Sequence, residues 1–259
     1  MRSEVPIPVF NKRVSPIFLR YFRFLNTYLL KSIRTVVIIP AFNEENGVGE
    51  VIREIPRDIV SEIIVVNNAS TDNTEKIAKE AGATVLGEIV PGYGRACLKG
   101  IEYVQQTFPH TDIVIFLDAD HSDYPEEIPE LIKPIVKNGA DMVIGSRALG
   151  NKENGSMTPQ QIFGNWLATR LLKIFYKAKF TDLGPFRAIK FARLLELDMQ
   201  DKTYGWTVEM QLKAAKMGLN CVEVPVKYRK RIGVSKISGT VKGTILAGYK
   251  ILYTIFKYV

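Results

Sequence analysis

The chain has 259 residues, 46% of them hydrophobic, and its 35 Lys and Arg against 27 Asp and Glu leave a formal net charge of +8. That length suits one large α/β domain with a substantial core, and no fixed-period repeat or low-complexity segment interrupts it. The two cysteines, Cys97 and Cys221, lie far apart without metal-ligand spacing, which excludes a disulfide framework and a zinc site and fits a reducing, cytosolic setting.

The positive balance points to an anionic partner: nucleotide, lipid phosphate, membrane surface or nucleic acid. Residues 1–34 read as an amphipathic arm. At about 100° per residue, Arg20, Arg23, Thr27, Lys31 and Arg34 gather on roughly a quarter of a helix. Phe18, Leu19, Phe22, Leu25 and Leu29 cover most of the remainder. Lysines and arginines interrupt every apolar run, so no membrane span is expected, and the broken stretch lacks the small-residue cleavage site of a signal peptide. A basic, aromatic-rich helix suits the plane of an anionic bilayer; packing against another helix or within a homo-oligomer is the alternative.

Strands and helices then alternate. Strands are predicted at Thr35–Pro40, Ile63–Val66, Thr84–Leu86, Ile113–Leu117 and Asp141–Gly145. Helices are predicted over Gly47–Ile55, Thr74–Ala81, Gly94–Gln106 and Pro125–Asn138. This order implies right-handed crossovers and a mainly parallel sheet. Beyond Arg147 the pattern changes to a Gly/Asn-rich loop, a helix over Pro159–Lys177, the loop TDLGPFR and a helix over Trp206–Met217. Asn220–Arg231 resembles a strand broken by Pro225, hence an edge or a kink. Residues 237–259 repeat the amphipathic pattern, with Lys242, Lys250 and Lys257 on one side.

The most telling feature is Asp118-Ala119-Asp120, which leaves the apolar run at its carboxyl end, where open α/β sheets bind ligands. Two carboxylates one residue apart repel each other, and a hard cation such as Mg²⁺ or Mn²⁺ carrying phosphate oxygens would offset that repulsion. A solvated acidic turn is the alternative. The polar loops PAFNEE and NNASTDNT leave the first two strands at the same end, suited to a base and ribose; Asp72 and Thr74 could equally cap the following helix. Gly92, Gly94 and Arg95 surround a helix start suited to a diphosphate.

In order and spacing, PAFNEE, NNASTDNT, PGYGRACLKG, DAD and GSR resemble the family 2 glycosyltransferases of GT-A fold. The second half, with TDLGPFRAIK and EVPVKYRKRIGVSK, is most similar to polyprenyl-phosphate sugar synthases, including dolichyl-phosphate mannose synthases. The resemblance runs from Thr35 to about Lys236 and implies a Rossmann-like GT-A domain over 35–236, between the arm and a C-terminal helix. It further implies inverting transfer of one hexose from a UDP- or GDP-sugar to a lipid acceptor, polyprenyl phosphate first, by an enzyme peripherally attached to the cytoplasmic membrane face. Another lipid or a glycan hydroxyl is the alternative acceptor.

By the same resemblance, Pro40, Phe42, Glu44 and Asp72 line the nucleotide pocket, and Asn67 stands where many members carry a base-reading aspartate. Asp118 faces the ribose or the metal, and Asp120 binds Mg²⁺ or Mn²⁺ at the diphosphate. Ser122 replaces a glutamine of the mannose synthases, so Asp123 becomes a third candidate ligand, while His121 reads as a loop residue. Arg147 is placed near a phosphate, Asp182 as the catalytic base with Glu209 in reserve, and Arg187 on an acceptor phosphate. Asp182 could instead be a turn carboxylate buried against Arg187, and an already anionic lipid phosphate would need orientation rather than a base. Arg231 and Lys236, in the basic run after Pro225, suit a lipid phosphate or the donor diphosphate. The QxxRW motif of processive synthases is absent, which favours single transfer. A nucleotidyltransferase would carry a Gly-rich, basic signature where this chain has AFNEE, and nucleic acid is not an expected partner.

Overall fold

The computed structural model describes residues 32–233 and 241–259; the arm up to Lys31, together with Ser235 and Lys236, lies outside them. Seven strands, β1 (Thr35–Ala41), β2 (Glu62–Asn68), β3 (Thr84–Glu88), β4 (Ile113–Phe116), β5 (Met142–Ser146), β6 (Arg187–Lys190) and β7 (Cys221–Pro225), form one sheet of order β3-β2-β1-β4-β6-β5-β7. The helices are α1 (Val48–Glu54), α2 (Thr74–Glu80), α3 (Tyr93–Thr107), α4 (Ile128–Asn138), α5 (Pro159–Tyr176), α6 (Phe191–Glu196), α7 (Trp206–Lys216) and α8 (Val241–Lys257). Each expected strand and helix of the first half is present to within a few residues at its ends.

Alternating burial divides the core. Val37, Ile39 and Val65 pack with Val48, Ile52 and Leu131 on one sheet face. Val36, Ile38 and Ile64 pack with Ala96, Cys97 and Val104 on the other. Strands covered on both faces read as continuous apolar runs, which is why TVVIIP and IVIF stood out in the sequence. A third cluster, with Leu172 of α5, Val208 and Leu212 of α7 and Ile255 of α8, lies outside the sheet layers.

The strand β6 departs from expectation, because the loop TDLGPFR reads as far as Arg187, no strand is expected after it, and simple alternation predicts no antiparallel member. It lies between β4 and β5, antiparallel to both, in the register Phe116↔Arg187 and Val143↔Ala188. Its opening Arg187 masks the apolar signal, yet Arg187, Ala188 and Ile189 are all fully buried. Being antiparallel to both neighbours, β6 leaves β4 and β5 pointing the same way, so the ends of β1, β2, β4 and β5 share one rim. The Pro225 break falls where expected: β7 is an edge strand paired with β5 alone.

α8 is held by side-chain packing and hydrogen bonds. Phe256 meets Phe175 of α5 edge-on at 5.5 Å between centroids, and the Tyr176 hydroxyl donates to Ile255 O at 2.6 Å. Among the described residues no helix is long and apolar enough to cross a membrane.

Close packing of α3 on β1 depends on Gly100, where an added Cβ would stand 2.6 Å from Ile38 Cγ2. Both partners are buried in regular structure and neither can yield cheaply. Gly100→Ala is therefore expected to lower the unfolding free energy by about 1–3 kcal/mol, seen as a lower urea midpoint at unchanged slope.

Candidate active site

The carboxyl rim carries two connected cavities. The smaller, about 220 Å³, is walled by Pro40 near the end of β1, Phe42 and Glu44 after it, Asn68 at the end of β2, and Gly92 before α3. The larger, about 800 Å³, is bounded by α5, α8 and the segment after Asp182. Tyr93, Asp118, Asp120, Tyr204 and Arg231 line both. The two acids thus stand where the cavities meet.

Crowding of negative charge dominates this junction. Asp120 is 4% exposed and Asp123 2%. Asp120 Oδ1 accepts from Ser122 N at 2.9 Å and Ser122 Oγ at 2.5 Å, while its Oδ2 is paired with the Arg231 guanidinium. The same guanidinium stands 3.8 Å from Glu44. Asp118 accepts a hydrogen bond from the Tyr93 hydroxyl at 3.1 Å. Desolvation, followed by the negative charge of Asp120, pushes the Asp118 carboxyl up to about 7, against Arg231, Tyr93 and Arg147. Burial and the charges of Asp118 and Asp120 push Asp123 well above the carboxylate range.

A divalent cation fits these residues. Both carboxylate oxygens of Asp123 and the Arg231 Nε are buried without a hydrogen-bond partner among the described residues, so two acceptor oxygens and one N–H donor are left for a ligand. No three such side chains among the described residues converge as a ready-made cage. Mg²⁺ and Mn²⁺ suit that arrangement, since Mg²⁺ is typically held by one or two carboxylates with substrate phosphates and water completing its shell.

Arg147, which lines the larger cavity, forms a two-pronged ion pair with Asp182. Arg147 Nε donates to Asp182 Oδ2 at 2.8 Å, a terminal nitrogen donates to Oδ1 at 2.6 Å, and the Arg147 amide adds 2.7 Å to Oδ2. The guanidinium lies 5.1 Å from the Tyr228 ring centroid. Burial alone would weaken its charge, but the opposed Asp182 outweighs this and raises the Arg147 pKa. The Asp182 main chain is fixed from three sides: Glu223 accepts from its amide at 3.1 Å, Gln211 donates to its carbonyl at 2.9 Å, and Asn165 accepts from Leu183 N at 2.8 Å. Glu209 lies outside both cavities, accepting the Gln200 and Asp201 amides at 3.0 and 2.7 Å.

Several residues stand elsewhere than the sequence reading expected. Arg187 is fully buried and lines neither cavity; it donates to Thr207 O at 3.0 Å and to Gly184 O and Leu183 O, which ties down the 183–185 turn. Burial pulls its pKa down to about 10. Asp182 is indeed buried, but against Arg147 rather than Arg187. Asn67 faces α2, donating to Glu75 at 3.2 Å, and strand alternation turns Asn68 into the cavity instead. Asp72, one residue before the Asn73 N-cap of α2, accepts from Thr74 N at 3.0 Å and from Glu45 N at 3.2 Å. The first amides of α3 are not open to an anion, because Arg95 N and Gly94 N donate to Lys202 O and Thr203 O at 3.1 and 3.3 Å. His121 Nε2 lies 2.9 Å from Glu54. Arg229 is spent on His121 O and Glu54, leaving Arg231 as the arginine of the basic run that reaches the cavities.

Tyr93, Asn68, Tyr204 and Tyr228 were missed. Tyr93 sits inside PGYGR, Asn68 inside NNAS and Tyr228 inside EVPVKYRKR, so three of the four had a local signal; Tyr204 lies outside every one of these motifs.

Two outcomes follow from this geometry. Asp182→Asn strips Arg147 of its ionised partner and is expected to cost about 3 kcal/mol of stability, read from urea unfolding. The Asp118 carboxyl, raised from 3.8 to about 7, lends stability that is complete below 3.8 and is lost as pH climbs through about 7. Mn²⁺ should therefore raise Tm more at about pH 8 than at about pH 5, where protons compete for the carboxylates; equal shifts would place the cation elsewhere.

Residues 36–195 match the family model described as "Glycosyl transferase family 2". An uncharacterized glycosyltransferase of Mycobacterium bovis is 34% identical over 213 residues, 82% of this chain and 93% of its own. An undecaprenyl-phosphate mannosyltransferase of Micrococcus luteus is 30% identical over 225 residues, 81% and 90% respectively. A dolichyl-phosphate hexose transferase of Haloferax volcanii is 29% identical over 204 residues, 78% and 85%. Among solved structures, glucosyl-3-phosphoglycerate synthase of Mycobacterium tuberculosis, in complex with Mn²⁺, UDP and phosphoglyceric acid, superposes with a TM-score of 0.69 at 21% identity, covering 90% of this chain and 80% of that one. The fold is GT-A, and the chain belongs to glycosyltransferase family 2.

Proposed function

We propose that this glycosyltransferase moves a single hexose from a nucleoside-diphosphate sugar to a lipid phosphate, polyprenyl phosphate first, with inversion and with Mg²⁺ or Mn²⁺ as cofactor. The observation that carries the reading is the junction at Asp118 and Asp120 of a small cavity rimmed by polar loops with a cavity of about 800 Å³ whose walls include Phe163, Leu167, Leu183, Ile251 and Leu252. A nucleotide needs the first; an isoprenoid tail suits the second, because burying its methylenes releases about 0.8 kcal/mol each. Relatives named for undecaprenyl-phosphate and dolichyl-phosphate transfer support the lipid acceptor, and the neighbour solved with Mn²⁺ and UDP supports the donor and metal classes.

Each residue then has a task. Asn68, Phe42 and Glu44 bound the nucleotide side. Asp118 and Asp120 would hold the cation, with Asp123 as a further candidate ligand, and when bound it would supply a Lewis acid to the leaving diphosphate. Arg231, paired with Asp120, keeps that carboxylate neutralised and offers its free Nε to a phosphate oxygen. Arg147, fixed from behind by Asp182, presents an oriented guanidinium at the larger cavity, suited to an acceptor phosphate. A lipid phosphate arrives already anionic, so Asp182 orients the arginine rather than removing a proton.

The exposed apolar residues Phe163, Trp166 and Ile174 of α5 and Ile245, Tyr249 and Phe256 of α8 support a peripheral seat on the cytoplasmic membrane face, with the amphipathic arm as a further contact. A second reading has a small phosphorylated hydroxy acid as acceptor, favoured by the phosphoglyceric acid in the solved neighbour. It leaves the large apolar cavity without an occupant.

Incubation with labelled UDP-glucose, UDP-GlcNAc or GDP-mannose, Mn²⁺ and undecaprenyl phosphate should move label into an organic-soluble product from one donor. Label entering only a water-soluble product with phosphoglycerate would establish the second reading. Asp120→Ala should abolish transfer, by at least about a thousandfold on the scale of a lost electrostatic contact to the reacting group; an active variant would remove the cation role from this carboxylate.

A further inference from the structure

Side-chain polar contacts of α8, and of Tyr258 just beyond it, are directed at the 200–205 loop and the helix behind it. Lys250 Nζ stands 3.0 Å from Asp201 Oδ2, and the Tyr258 hydroxyl donates to Glu209 Oε1 at 2.9 Å. Thr254, 2% exposed, abuts Gly205, where an added Cβ would meet Thr254 Oγ1 at 2.4 Å. The two acids shape the loop in turn. Asp201 Oδ1 accepts from Thr203 N at 2.7 Å and Gly205 N at 3.2 Å, while Glu209 accepts the Gln200 and Asp201 amides.

On its other side the same loop closes against the donor cavity. Its carbonyls at Lys202 and Thr203 take the first amides of α3, and a Cβ at Gly92 or Gly94 would stand 2.3 Å from Lys202 O or 2.0 Å from Asp201 O. Between those glycines, Tyr93 reaches Asp118; within the loop, Tyr204 lines both cavities. α8 also borders the apolar cavity with Gly248, Ile251 and Leu252. One helix therefore touches the apolar cavity and, through an ion pair, the loop that shapes the polar one.

We propose that Lys250 and Asp201 are a positioning pair through which the seating of α8 sets the donor cavity, so that a ligand filling the apolar cavity against α8 tightens nucleotide binding. The inference rests on the donor reading above. By linkage the coupling is mutual, and the nucleotide tightens the apolar ligand by the same factor. Neither residue touches the nucleotide in this account; both act through Tyr204 and the backbone around Tyr93.

Calorimetry of the full chain with UDP and GDP plus Mn²⁺, with and without farnesyl phosphate, tests this. The native protein should bind its nucleotide about fivefold more tightly with farnesyl phosphate present, a factor typical of modest coupling. Lys250→Met should bind nucleotide about fivefold more weakly and lose that enhancement, and Lys250→Arg should restore both. Native-like affinity and enhancement in Lys250→Met, or an arginine variant as impaired as the methionine one, overturns the proposal. Should Lys250→Met fail to fold, Tyr258→Phe, which removes the hydroxyl bond to Glu209, is held to the same criterion of a weakened enhancement. Binding of neither nucleotide by the native chain would instead overturn the donor reading and this inference with it.

Discussion

Three carboxylates within six residues, Asp118, Asp120 and Asp123, are gathered at the end of a strand buried on both faces, and the neighbouring structure is organised around that charge. Charges this close in a poorly solvated site repel strongly unless they are protonated or opposed. The chain does both in part: the Asp118 carboxyl is pushed up to about 7, and Arg231 is brought onto Asp120. The compensation is incomplete, since the Asp123 oxygens lack partners among the described residues. A site left short of positive charge and donors in this way is receptive to a cation and to the phosphates that a cation carries.

The second half of the chain answers that constraint from outside the parallel sheet. The backbone after β7 pairs with the acidic loop through Arg229 N to Ser122 O and Ile232 N to Asp120 O, both at 2.9 Å, and so delivers Arg231. Across the junction, Asp182 consumes much of the hydrogen-bonding capacity of Arg147, which fixes its plane at the cost of its freedom. Arg187 serves architecture by tying the 183–185 turn through carbonyl oxygens. The helices α5, α7 and α8 form their own small core, and all three border the larger cavity, α7 through Thr207. A polar donor side built on strand ends and an apolar side built between helices are thus separate structures joined at two aspartates.

Much of this was legible in residue order. The buried strands announced themselves as apolar runs, the polar loops after β1 and β2 fell at the expected rim, and the Pro225 break marked an edge strand. The resemblance carried by PAFNEE, DAD and GSR gave the family, which the family model matches over residues 36–195. The strand β6 escaped because it is four residues long and opens with a charged side chain. Asn67 is named in the sequence reading because the resemblance sets it where many members carry a base-reading aspartate; a one-residue difference along a strand reverses the face presented, and it is Asn68 that lines the cavity.

What the sequence by itself determined was the class of fold, the rim that carries the site and the acids at its centre, because burial periodicity and strand ends are written locally. Which cation meets which acid was decided only by tertiary structure. Arg147 pairs with Asp182 across 35 positions and Arg231 with Asp120 across 111. The strength of such pairs depends on through-space distance and on the solvent excluded by third parties, and no linear pattern records either.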